Sequence, residues 1–415
     1  MQWESKLEER RNWCIYLVMT AATVISNFHQ IGLSAISIEV GEALRVDAAQ
    51  LALLAAAFAY PYAAMQIPAG LLADTLGSRK SVTGALLLVF SGTVIFACST
   101  GLYMAIFGRI CIGAGCAIIL VPLMKLTAVW FSPASYARLI AVSFTVGALG
   151  LVFATSPMAF LSETVGWRNI YLLLAVFTLA CAALVWIIVR DTREPTAVQG
   201  AMSREWLCHA MKTVFGNKNA WVLGGWCFCQ AGLYFSFIGL WAGQFLSKGL
   251  GFDPLEAGGI LTLPACSLVV SPLLTWAAER CGSPRKVIIV LSFSTLLLSL
   301  PLAMGLPRLA APLLALYFLC FSISAIGGIA LIFSMGKELF PVEYAGTISG
   351  FINIFPFTGT AVVQQAVGIL VAAGLSAEAS PYDAFTKAFL LLPAFAAITC
   401  ILSLKVRDGL TSQPD

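Results

Sequence analysis

Residues 70–80 read Gly-Leu-Leu-Ala-Asp-Thr-Leu-Gly-Ser-Arg-Lys, and residues 277–288 read Ala-Ala-Glu-Arg-Cys-Gly-Ser-Pro-Arg-Lys-Val-Ile. Each stretch follows a long apolar run and sets an acid three residues before a glycine, with a basic pair just beyond it. Asp74, Gly77, Arg79 and Lys80 do this in the first copy; Glu279, Gly282, Arg285 and Lys286 do it in the second. A further echo joins Phe131-Ser-Pro-Ala-Ser-Tyr-Ala137 to Phe340-Pro-Val-Glu-Tyr-Ala345, and both pairs stand at offsets of about 205–209 residues. Repetition at that period, in one chain direction, is the mark of a duplicated half-length unit.

Working outward, the solvent for those units is lipid. The 415 residues are 60% apolar and 11% charged, with mean hydropathy +0.91. A soluble surface needs roughly 25–35% of its positions charged, so a water-soluble globule is excluded. The net charge of +4 says little about partners; placement says more. Runs long enough to span a bilayer occur at 13–38, 49–73, 81–100, 102–130, 136–161, 169–189, 219–246, 257–278, 287–306, 309–335, 345–373 and 384–405, which makes twelve. The eighth is interrupted by Pro264 and Pro272, and in a bilayer such prolines kink a helix rather than end it. The first follows Lys6, Arg10 and Arg11 but is far longer than the roughly 7–15 residues of a secretory apolar core, so it reads as a retained helix.

If the N-terminus is cytoplasmic, seventeen Lys and Arg fall on that side and five outside, which predicts that both termini are inside. The fold class expected is all-α and membrane-integral, with twelve transmembrane helices in two pseudo-symmetric six-helix bundles. The expected division is a bundle over 1–189, a cytoplasmic linker over 190–218 and a second bundle over 219–415. Within the linker, Arg204–Phe215 suits either an amphipathic surface helix or a solvated connection. Most of the 12 Cys lie in apolar runs and read as buried free thiols; with two His and no ligand spacing, no metal site is expected.

These residues resemble the loop signature of the major facilitator superfamily. Gly70, Leu71, Asp74, Gly77, Arg79 and Lys80 stand in place, while Thr75 and Ser78 replace residues that are commonly basic there. In helix 4, Arg109, Gly113, Gly115 and Ala117 match a second family pattern, with Ile112 in place of its usual polar residue. The Gly-Pro pattern of drug antiporters is missing from helix 5, where Gly147 and Gly150 stand apart from Pro157. The resemblance implies a secondary transporter working by alternating access. It assigns gating to Gly70, Asp74, Gly77, Arg79 and Lys80, with Glu279, Arg280 and Arg285 in the degenerate copy.

Polar groups inside spans are costly and tend to face cavities. In helix 1, Thr20, Thr23, Asn27, Gln30, Ser34 and Ser37 recur every three or four residues and form one stripe, so Asn27 and Gln30 are candidate substrate contacts. His29 lies off the stripe and reads as a packed histidine, with proton carriage as the alternative. Helix 7 offers Gln230 and Tyr234 beside Trp226, and helix 11 offers Asn353. Arg109 and Lys125 are cations within helix 4; they stand about 24 Å apart along it and on nearly opposite faces, so they cannot serve one point. Arg109 is the stronger candidate, because Lys125 lies near the helix end and can snorkel out.

No Asp or Glu falls inside any apolar run. A cation without a carboxylate favours an organic anion such as a carboxylate, which a guanidinium grips in two parallel bonds. The partners expected are a small-molecule substrate, a coupling proton, sodium ion or counter-anion, and membrane lipid. No nucleic acid or cofactor is expected, and the protein is expected to act as a monomer in the cell membrane, the inner one in a Gram-negative cell. No ATP-binding loop, zinc motif or cluster of nucleophile and base points to an enzyme. The alternatives kept are a multidrug or metabolite efflux antiporter and, in another class, a transporter-like solute sensor.

Overall fold

The computed structural model describes residues 2–131, 133–191, 204–340 and 345–406, and its regular structure is helical throughout. Helix 1 covers Gln2–Ala35 and is followed by a short helix, Ser37–Leu44, that Arg45 closes in the left-handed region at φ 53°. Helix 2 runs as Ala48–Ala64 and Gln66–Thr75, helix 3 as Ser78–Ala97 and helix 4 as Leu102–Trp130. Helix 5 comprises Pro133–Phe153 and Ser156–Val165, and helix 6 is Trp167–Ile188. Helix 7 begins as Lys218–Ser236 and is widened by π turns at Phe237–Trp241 and Phe245–Gly249. Helix 8 is divided into Pro254–Ala265, a 3-10 turn at Ser267–Val270, and Ser271–Arg280. Helix 9 is Pro284–Met304, helix 10 is Ala311–Ile326 with Ile329–Glu338, helix 11 is Ala345–Ser376, and helix 12 is Pro381–Ala388 with Leu391–Lys405.

Nine helices among the described residues are long and apolar enough to cross a bilayer, and counting each of two bent pairs as one span gives eleven. The remaining expected span is 257–278. Its prolines divide it: Pro264 and Pro272 lack the N–H that would continue the ladder, and the chain tightens into the 3-10 turn between them. Leu173, Val176, Phe177 and Ile187 on helix 6, with Leu297 and Leu316 on helices 9 and 10, are exposed. Such stripes are a liability in water and the normal outer face of a helix in lipid.

The chain divides into two compact units, 1–45 with 57–194 and 46–56 with 195–415. In the first unit helix 1 packs on helix 5 and helix 3 packs on helices 4 and 6; in the second, helix 7 packs on helix 11 and helix 9 on helices 10 and 12. The duplication seen in the loops therefore extends to the packing. Gly150 of helix 5 lies so close to the Val24 carbonyl that any Cβ would collide with it, and Gly359 of helix 11 meets the Phe228 carbonyl in the same way. These pairs stand at offsets of 204 and 209 residues. Lipid gives helices little hydrophobic reason to associate, so close backbone approach at small residues carries the association.

Arg204–Gly216 is a helix whose Val214 is buried with Ala220, Leu223 and Phe351 of the second unit. The Trp221 indole donates to the Phe215 carbonyl at 2.8 Å and closes the turn into helix 7.

Candidate functional site

In the first unit, a partly open recess of about 50 Å³ is lined by Thr23, Ser26, Asn27, Tyr62, Cys116 and Ser143 together with apolar side chains of helices 4 and 5. Helix 1 supplies its polar edge because residues 23, 26 and 27 fall on neighbouring faces of one turn. Helix 5 makes room for it: a Cβ at Gly147 would stand 2.9 Å from Asn27 Nδ2 and 3.1 Å from Thr23 Oγ1. Thr20 pairs with Ser143 at 3.2 Å, and Ser143 donates to the Tyr16 hydroxyl, which donates to the Leu139 carbonyl. Thr20 of the helix 1 stripe thus bonds to helix 5, while Thr23 and Asn27 meet the recess. Gln30 is half-buried one turn on.

Arg109 lies behind the recess wall and is 1% exposed. Its Nη1 donates to the His29 carbonyl at 3.0 Å, and its guanidinium stands 5.0 Å from the centre of the Phe58 ring. Nε meets no partner among the described residues. Gly113, one turn along helix 4, lies against the Phe58 carbonyl and leaves no space for a side chain. Among the described residues no Asp or Glu is buried, so the Arg109 charge has no buried counter-charge. Cys116, two turns along the same face of helix 4, is part of the recess lining.

Lys125 is elsewhere: its Nζ donates to the Ala73 carbonyl at 3.0 Å and ties helix 4 to the second segment of helix 2. In the second unit, Gln230 is fully buried, and its amide donates to Thr295 Oγ1 at 3.2 Å and to the Ser324 carbonyl at 3.4 Å. Trp226 donates to Ser292 Oγ at 2.9 Å. Tyr234 is buried on the same helix, and Asn353 is half-buried on helix 11.

The loop signature shows a residue that sequence reasoning missed. Gly77 adopts φ +82°, and a Cβ there would run into the Asp191 carboxylate. Asp191, just beyond helix 6, accepts from the backbone N–H of Ser78 at 2.7 Å and of Arg79 at 3.2 Å, capping helix 3 from across the unit. Arg79 stacks on Trp186 of helix 6 at 4.2 Å. Lys80 is exposed, Gly70 is half-buried, and the side chain of Asp74 lies outside the described residues. In the second copy Gly282 also takes positive φ, at +63°. Arg280 stacks on Trp276 at 4.7 Å, Arg285 donates to the Leu404 carbonyl at 2.8 Å, and Glu279 is exposed. Nothing near Ser78 in sequence points to Asp191; an acid directly after a span is the one available signal.

Comparison with known proteins agrees with this architecture. The family description "Major Facilitator Superfamily" matches residues 15–364. The "Uncharacterized transporter YybO" of Bacillus subtilis is 20% identical, over 88% of this chain and 92% of that one. The "D-galactonate transporter" of Escherichia coli O6:H1 is 23% identical over 87% and 89%, and the "Probable sulfoacetate transporter SauU" of Cupriavidus necator is 22% identical over 96% and 94%. The crystal structure of a D-xylose-proton symporter superposes with TM-score 0.80 at 14% identity, covering 97% of this chain and 99% of that one, which establishes the fold. With a duplicated helical frame, lipid-facing stripes and a family match across most of its length, the chain belongs to the Major Facilitator Superfamily and is a multi-pass membrane transporter.

Proposed function

We propose that this transporter moves a small organic anion, such as a carboxylate, by alternating access, with both termini cytoplasmic. The observation that carries the reading is the uncompensated Arg109 charge behind a recess edged by Asn27, Thr23, Ser26 and Ser143. In a medium of low dielectric an unscreened cation acts over several ångströms, so an anion in the recess gains from Arg109 without touching it, while hydroxyls and the Asn27 amide orient it. Support comes from the relatives named for D-galactonate and sulfoacetate, both organic acids. Gln30 and Lys125 in the first unit and Gln230, Tyr234 and Asn353 in the second are assigned to binding of the solute. The two loop signatures are assigned to gating.

A thermal-shift screen of the purified protein against organic acids, sugars, amino acids, nucleosides and cationic drugs tests the class, because a ligand that binds the folded form raises its apparent stability. Organic acids are expected to give the largest shift, and counterflow in proteoliposomes separates a carrier from a sensor. A lipophilic cation as the best ligand would sink the reading.

A further inference from the structure

A hydroxyl has one proton to give, and around the recess each of those protons has a fixed destination. The Leu139 carbonyl can only accept, so Tyr16 donates to it, at 2.7 Å. With that proton spent, the 3.0 Å contact between Tyr16 and Ser143 uses the Ser143 proton. The 3.2 Å contact between Ser143 and Thr20 then uses the proton of Thr20. Thr23 donates to the Thr20 carbonyl at 2.7 Å. Two backbone carbonyls, Leu139 and Thr20, therefore set the direction of all four hydroxyls.

Thr23 and Ser143 line the recess, and neither has a proton left for a solute. Their oxygens keep lone pairs, and Gly147 leaves room beside that of Thr23, where a Cβ would stand 3.1 Å away. This edge accepts hydrogen bonds and does not give them. Turning one of its protons toward a solute would break a bond already made. A carboxylate oxygen set against it would meet lone pair with lone pair, whereas a solute O–H would complete it. The opposite wall is Cys116, Ile119 and Leu123 of helix 4, with the Arg109 charge behind it to draw a carboxylate. Asn27 carries both an acceptor and donors and can serve either end.

We propose that Thr23 and Ser143 are specificity-determining residues that select, among organic anions, hydroxy acids whose O–H groups stand next to the carboxylate. The proposal rests on the anion reading. The carboxylate lies toward Arg109, and the neighbouring hydroxyls donate to Thr23 Oγ1 and Ser143 Oγ. An acid of the same length without hydroxyls displaces water from both oxygens and returns no hydrogen bond, and that loss is the source of the discrimination. A methoxy group in place of the hydroxyl keeps the oxygen but lacks the proton, so it fails for the same reason.

Thermal-shift titration of the purified full chain reads the apparent affinity of each acid. Propionate, lactate and glycerate share one charge and one carbon chain length and carry no, one and two hydroxyls; 2-methoxypropionate is the donor-free control. In the parent, affinity is expected to rise about twofold to tenfold with each hydroxyl, and 2-methoxypropionate to bind no better than propionate. Thr23→Val, which keeps the shape but offers no lone pair, and Ser143→Ala should each remove one step and leave propionate unchanged, which also shows that the variants are folded. Thr23→Ser should keep both steps. Equal affinity for the three acids in the parent, 2-methoxypropionate binding as tightly as lactate, or both steps surviving in Thr23→Val and Ser143→Ala overturns the proposal, as does a parent that glycerate leaves unshifted. Glyceramide, the uncharged amide of glycerate, separates the two readings: if it binds as tightly as glycerate and loses affinity in Thr23→Val, the anion reading fails while the roles of Thr23 and Ser143 stand.

Discussion

Helix 1 meets helix 5 through Gly150 against Val24, and helix 7 meets helix 11 through Gly359 against Phe228, but the two frames enclose different polar groups. The first unit buries a guanidinium and an imidazole beside an open recess. The second buries amides, hydroxyls and indoles that bond to one another, as Trp226 does to Ser292 and Gln230 to Thr295. The segment matching Arg109, residues 314–318, reads Leu-Ala-Leu-Tyr-Phe. Duplication preserved the frame, which backbone approach dictates, and left the buried chemistry free to diverge. Charge is concentrated in one half, and a neutral hydrogen-bonded ladder fills the other.

That contrast can be broken at four places. The largest effect is expected at Arg109. Two unit charges several ångströms apart at an effective dielectric constant of about 20 interact by roughly 2 kcal/mol, so Arg109→Gln should lower uptake of the best organic acid roughly tenfold to a hundredfold; full uptake would remove the asymmetry of charge. Next comes the shared frame. Gly150→Val and Gly359→Val each force a side chain against a carbonyl, and overpacking costs about 1–3 kcal/mol. Melting of the purified variants should fall by similar amounts for both, and a tolerant Gly359 would show that the halves are not held alike.

The caps differ in kind. Helix 3 is capped from a distance by Asp191, helix 9 by its own Ser283, which accepts from the Lys286 N–H. Loss of a cap costs about 0.5–2 kcal/mol, so Asp191→Ala and Ser283→Ala should both lower the melting midpoint. Asp191→Ala should also free the 77–80 turn, read as faster amide exchange there. The smallest effect belongs to the neutral ladder: Thr295→Val takes one acceptor from Gln230 but leaves the Ser324 carbonyl, so about 0.5–1 kcal/mol is expected. A larger loss would mean that the second unit depends on its polar groups as strongly as the first.

Much of the frame was legible in the residues. Apolar runs gave the helices because lipid leaves no other use for them, and the paired loops at 70–80 and 277–288 gave the duplication that packing repeats. Helix 8 was legible as a weak span, and Pro264 and Pro272 account for its division. The site was legible in part. Asn27 stood out as a costly amide in a span, whereas Tyr62, Cys116 and Ser143 of the recess sit in runs where a ring, a thiol and a hydroxyl read equally well as packing. His29 fell off the polar stripe because its partners, Thr93, Arg109 and Tyr171, lie on three other helices and far along the chain. Asp191 shows the same limit, since a bond across 113 residues leaves no local pattern.

The glycine contacts at Gly150 and Gly359 also have a genetic consequence. Where two backbones touch, there is no second side chain that can shrink to accommodate a first, so neither position has a compensating partner elsewhere in the chain. In a library of random variants selected for transport, these two codons should stand nearly empty of substitutions. The exposed positions of helix 6, Leu173, Val176 and Phe177, should accept almost any apolar replacement.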